Sequence, residues 1–123
     1  MANLDVALKS AMSIEGAIGV ALVDYTSGMT LGVAGGSAEL DLTVAAAGNT
    51  DVVRAKMRTI EMLKLTDGIE DILITLDTQY HLIRPLSSPS GKGLFLYLAV
   101  SKTRANLAFA RHQLRLIEES LEL

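Results

Sequence analysis

The sequence predicts an α/β (α+β) chain built as a three-layer α/β/α sandwich around one five-stranded, mostly antiparallel sheet. Three observations predict it. Hydrophobic periodicity gives the element order α-β-β-α-β-β-β-α. The connections between neighbouring strands are too short for parallel crossovers, so most pairs must be antiparallel. The first and last strands are apolar on both faces instead of alternating, which calls for helices on both sides of the sheet. A chain of 123 residues, half of them hydrophobic and only two of them proline, is expected to form one domain over residues 1–123 without a metal or disulfide staple.

Leu4, Ala7, Leu8 and Ala11 share a helical face, so residues 3–12 read as a first helix with Asn3 as its cap. Gly16 releases the chain into the apolar run 17–25. Thr26-Ser27-Gly28 is turn chemistry, and Met29 to Ala34 completes a hairpin. After Gly35-Gly36-Ser37, residues 42–65 are proline-free and rich in Ala, Arg, Lys, Met and Leu, a long helix capped by Asp41 and closed by Thr66-Asp67-Gly68. Gly48-Asn49 inside it should loosen it, since Gly costs about 1 kcal/mol relative to Ala. Strands are expected at Glu70–Leu76, Gln79–Leu86 and Leu94–Val100. Pro85 removes a ladder donor, so pairing should weaken near it. A last helix, capped by Ser101 or Thr103, carries Leu107, Ala110, Leu114, Ile117 and Leu121 at spacings of three and four.

Charge and composition exclude several function classes. Eleven basic against fourteen acidic residues give a net charge of −3, a poor match to a nucleic-acid partner, which needs a basic excess. Residues 1–51 hold one Lys and six acids, net −5, and residues 52–123 hold ten bases and eight acids, net +2. No run approaches about 18 consecutive apolar residues, so no membrane insertion is expected. The first residues lack the basic start and apolar stretch of a signal peptide, and the expected location is cytoplasmic. With no cysteine there is no disulfide framework, thiolate metal site or cysteine nucleophile.

No motif asks for catalysis, a cofactor or a metal, so catalytic, cofactor and metal residues are all read as none. The glycines of Gly32-Val-Ala-Gly-Gly36 match neither a dinucleotide fingerprint nor a Walker loop. His81 and His112 lack partners at ligand spacing. Asp41, Asp67 and Asp77 are explained by caps and turns, and Glu118, Glu119 and Glu122 by a solvated helix end. Glu70 and Asp71, at the start of a strand, have no such explanation. Ser and Thr residues have no nucleophile signature.

Surface patterning stands out instead. On the long helix Val53, Met57 and Ile60 form a face suited to the sheet. A second stripe carries Ala45, Gly48, Val52, Ala55 and Thr59, all small or medium-sized, and a third carries Asp51, Arg54, Arg58 and Glu61. Two adjoining apolar stripes are more than one sheet needs. Either the monomer buries a broad face, or the small residues admit another helix; we favour self-association. The strand from Glu70 to Leu76, as a long apolar edge, would need pairing or cover. Pairing across a two-fold axis through Ile72 and Ile74 would provide it.

The chain resembles the roadblock family of dynein-light-chain-related proteins over almost its whole length. The resemblance rests on Gly16-Ala-Ile-Gly-Val-Ala-Leu-Val-Asp-Tyr-Thr-Ser-Gly28, the Ala-rich start of the long helix, Ile72-Leu-Ile-Thr-Leu76, Tyr80-His-Leu-Ile-Arg-Pro-Leu86, and Leu94–Val100 leading into Arg104-Ala-Asn-Leu107. It implies a profilin- or longin-like fold with sheet order 2-1-5-4-3 and dimers built from strand 3 and helix 2. It further implies a non-enzymatic role, as an adaptor or as a regulator of Ras-like GTPases, and a compact bacterial type of member. The expected partners are a second copy or a paralogue, and a small GTPase, with Arg54, Lys56 and Arg58 as its electrostatic handle. A small-molecule-sensing domain is the alternative, with Tyr25, Tyr80, Tyr97 and His81 offering the suitable polar tips.

Overall fold

Each helix begins where a short polar side chain can take up backbone N–H groups that have no partner within the helix. The structure, a computed structural model, describes residues 2–123. Asn3 opens α1 (Leu4–Met12) by accepting from Val6 N at 3.0 Å. Asp41 opens α2 (Leu42–Met62), accepting from Thr43 N at 2.9 Å and Val44 N at 3.3 Å. Asn106 opens α3 (Leu107–Ser120), accepting from Phe109 N at 2.9 Å. This corrects the expectation of Ser101 or Thr103 as that cap. Ser101 ends a strand, and the two hydroxyls lie 3.2 Å apart, bonding each other.

The strands are β1 (Ala17–Asp24), β2 (Met29–Gly35), β3 (Ile72–Thr75), β4 (Gln79–Pro85) and β5 (Leu94–Ser101). They form one antiparallel sheet in the order β2-β1-β5-β4-β3. The first hairpin turns where Asp24 accepts from Thr26 N at 2.8 Å and from Thr26 Oγ1 at 2.6 Å. Gly28 follows at φ +80°, in the left-handed region that glycine enters without a Cβ penalty.

Two boundaries differ from expectation. β3 has four residues, so the edge is shorter than Glu70–Leu76. In its register Ile72 faces Ile83; the next positions would set Asp71 against Arg84 and Glu70 against Pro85, which has no N–H. Asp71 is drawn instead to α3, where Arg111 donates from Nε and Nη2 at 2.8 and 2.9 Å. This accounts for a residue the sequence left unexplained.

Helix α2 runs unbroken through Gly48-Asn49 but stops at Met62, three residues early. Lys64 N–H donates to Glu61 O at 3.0 Å and Leu65 N–H to Ile60 O at 3.1 Å, a Schellman closure. Its left-handed position, φ 57°, is filled by Lys64 and not by glycine. Lys64→Gly is therefore expected to stabilise the chain by about 1 kcal/mol, read as a higher urea midpoint with an unchanged m-value. A lower midpoint would show that this end is held by something else.

Helices cover both faces of the sheet. α1 and α3 pack on one, around Leu8, Ala11, Leu22, Leu82, Leu96 and Leu114. α2 packs on the other, over Ala21, Val23, Ile83, Phe95 and Tyr97. This explains why β1 and β5 are apolar on both sides.

Candidate functional site

The geometry of α2 decides which of its stripes is free. Leu42, Ala46, Thr50 and Val53 are buried against the sheet, while Met57 and Ile60 are only half-buried. Of the small-residue stripe, Ala45 is half-buried and Gly48, Val52, Ala55 and Thr59 are exposed, Val52 at 37 %. The monomer's core is thus one stripe wide, and a broad buried face within the monomer is ruled out. Further exposed apolar residues, Val44 at 67 % and Met62 at 74 %, lie toward its two ends.

α2 packs over β1 and β2, beside the same face of β4 and β3. Ile72 and Ile74 on β3 are therefore half-buried, their side chains against the α2-side core and the outer edge of their strand unpaired. A groove of about 360 Å³ joins helix to strands, with Val44, Ala45 and Asn49 on one wall and His81 and Tyr97 on the floor. The groove takes Ala45 from the stripe, and His81 on its floor is the cross-strand partner of Ile74 on the β3 edge.

The groove floor is a hydrogen-bonded pair. The Tyr97 hydroxyl and His81 Nδ1 are 3.1 Å apart, with the rings edge to face. His81 Nε2 lies 2.7 Å from Gln79 Oε1. An amide oxygen only accepts, so Nε2 carries the ring proton and Tyr97 donates to Nδ1. Burial pushes the Tyr97 hydroxyl up to about 12 and holds His81 below its ordinary 6.5. A histidine with a depressed folded pKa stays neutral where the unfolded chain already binds a proton. Its contribution to stability is full above about 6.5 and is lost as pH falls through the window from there to its folded value. The wild type is therefore expected to lose urea midpoint between pH 7 and pH 5 more steeply than His81→Phe; parallel curves would remove His81 from the acid response. Glu39 and Asp41 are the other titratable groups lining this groove.

Of the four side chains considered for a ligand, only His81 and Tyr97 converge. Tyr25 stacks on Phe95, with ring centroids 6.5 Å apart, and Tyr80 belongs to the opposite face, under the ammonium of Lys102. Gly32–Gly36 ends β2 and leads into the segment before the Asp41 cap, so it does not open directly onto a helix. Among the described residues no group of three His, Asp or Glu could hold a metal ion, and no helix is long and apolar enough to cross a membrane.

The basic residues of α2 divide. Arg54 and Arg58 line a groove of about 460 Å³ with Tyr25, Thr26, Met57 and Glu61. Lys56 lies about 200° around the helix from each, because one residue turns it by about 100°. Among the described residues neither arginine has an ion-pair partner.

One cluster escaped the sequence reading. Glu118, expected on a solvated helix end, is buried at 3 % exposure. It accepts from Arg84 Nε at 2.9 Å and from the N and Oγ of Ser87 at 3.3 and 3.0 Å. The signal was its spacing: position 118 falls four after Leu114 and three before Leu121, on the apolar face of α3.

No protein-family model and no curated protein matches the chain. Solved structures do. A Roadblock/LC7 domain from Streptomyces avermitilis superposes with a TM-score of 0.79 at 12 % identity, covering 97 % of this chain and 94 % of that one. MglB of Myxococcus xanthus gives 0.74 at 17 % identity, over 93 % of this chain and 77 % of that one. An MglB with tetrameric arrangement gives 0.65 at 15 % identity, over 94 % and 87 %. Identities this low report shape and chain path, and on those the chain has the roadblock fold.

Proposed function

We propose that the chain is a non-enzymatic, homodimeric interaction module that regulates or scaffolds a small Ras-like GTPase. The observations that carry the dimer are the exposed small-residue stripe of α2 and the unpaired edge of β3. Small side chains let a second helix approach closely, and a second β3 would satisfy the open backbone groups of the first. The tetrameric arrangement of one similar protein supports self-association as a use of this fold. A paralogue with the same edge would fit the same surface.

The GTPase reading rests on the roadblock resemblance and on the Arg54–Arg58 groove, whose two guanidinium groups have no ion-pair partner among the described residues and can meet acidic side chains. The test has two parts. Light scattering on the purified chain should give about twice 13.1 kDa at micromolar concentration; a clean monomer would refute the homodimer. Capture from lysate of the source organism should then retain a small GTPase, identified by mass spectrometry. Arg54→Glu with Arg58→Glu is expected to weaken that capture about tenfold or more without changing the dimer mass. Unchanged capture would move the contact elsewhere.

A second reading has one observation in its favour. His81, Tyr97 and Asn49 converge on a groove large enough for a small metabolite. A thermal-shift screen over metabolites and nucleotides supports this sensing role if one raises Tm in the wild type and not in His81→Phe. A screen without such a compound sinks it.

A further inference from the structure

On the other face of the sheet, Arg84 is held by one edge only. It is 8 % exposed, and its Nε donates to Glu118 Oε1 at 2.9 Å. Ser87 takes up the second oxygen of Glu118, so the carboxylate is satisfied. The two Nη groups of Arg84 donate to nothing among the described residues. Yet among the described residues no fully buried side-chain nitrogen or oxygen lacks a partner. Both Nη groups therefore keep some contact with solvent, and Arg84 lines an adjoining hollow of about 440 Å³, whose walls include Gly68, Ile69, Glu70, Ser87 and Arg115. Arg115 engages Glu119 through Nε at 3.1 Å, and its Nη groups have no partner among the described residues.

We propose that this hollow binds a small organic monocarboxylate, gripped end-on by the Nη groups of Arg84 and assisted by Arg115. A guanidinium anchored through Nε presents two parallel N–H donors at a spacing that fits the two oxygens of one carboxylate. Water in the open hollow otherwise satisfies those donors, and one carboxylate can replace it at both at once. Charge selects the class. Three guanidinium groups, of Arg84, Arg111 and Arg115, face four carboxylates, of Glu118, Glu119, Asp71 and Glu70, so the surroundings are net negative and oppose a dianion about twice as strongly as a monoanion. A carboxylate is favoured over a phosphate on that count. The site lies on the α1/α3 side of the sheet, opposite α2.

The test is a side-chain and backbone NMR titration of the whole chain at constant ionic strength, with sodium acetate as the probe and sodium phosphate and sodium chloride in parallel. Acetate should shift Arg84 Nε and the Ser87 amide to saturation in the millimolar range, at lower concentration than phosphate. Arg115→Met, an exposed change that leaves the Arg84–Glu118 pair intact, should raise the half-saturation by about threefold, as for loss of one partly exposed charged contact. Linear shifts equal to those in chloride, phosphate saturating before acetate, or an unchanged half-saturation in Arg115→Met would each overturn the assignment.

Discussion

Gly48→Trp is expected to convert the proposed dimer to a monomer while leaving α2 folded. Gly48 is exposed in the middle of the small-residue stripe, and a Cβ placed there meets nothing within 4 Å of its own chain. The monomer therefore has room for a large side chain, and a helix interior gains from losing glycine. A partner helix packed against Ala45, Gly48 and Val52 has no such room, and an indole at the closest approach holds the helices apart. Gly48→Ala separates the two effects: it should raise the urea midpoint, by about 1 kcal/mol, and keep the dimer. Light scattering and circular dichroism on the three proteins decide the matter. A Gly48→Trp chain that stays dimeric at micromolar concentration would take α2 out of the interface. A chain that loses helix content would show that the space around Gly48 is needed by the fold itself.

Removing one partner of the Arg84–Glu118 pair should cost the largest stability of any single polar change. The side chains are 10 % and 1 % exposed, so either substitution leaves a charge in a wall with little water around it. Glu118→Ala is expected to cost about 3–5 kcal/mol, the usual range for breaking a buried pair, against about 1 kcal/mol or less for the exposed Arg115–Glu119 pair. Arg84→Met together with Glu118→Leu should recover most of the loss, because packed apolar groups of similar volume often replace a buried pair without penalty. Urea unfolding of both variants reads the result. A Glu118→Ala cost below about 1 kcal/mol would mean that water reaches the pair and that Arg84 is not locked by it.

Most of the architecture was legible because it is written in local periodicity. The 3.6-residue repeat of Ala7, Leu8 and Ala11, and of Ala110, Leu114 and Ile117, marks two helices, and these residues are buried. Asn3, Asp41 and the Asp24–Gly28 turn act through neighbours at most four residues away, so their roles needed no tertiary information. The run Leu94–Val100 implied cover on both faces, and α1, α3 and α2 supply it. Where strong alternatives stood close together, as Ser101 and Thr103 beside Asn106, the true cap was the side chain placed at the first helical turn by the preceding strand's end.

The candidate site divides along the same line. That α2 carries a stripe of small residues is a property of spacing, and the sequence alone determined it, along with the helix order, the hairpins and the absence of cysteine chemistry. Whether that stripe faces the core or solvent depends on how α2 rotates on the sheet, which is decided by which residues fill the space over β1 and β2. The same holds for Arg84 and Glu118, 34 residues apart in the chain, and for Asp71 and Arg111, 40 apart. A charged residue read along its own segment looks solvated. Only packing of α3 against β4 and the approach to β3 turned these four into buried or bridging pairs, because burial and partnership are properties of the space between elements and leave no mark on the periodicity of either one.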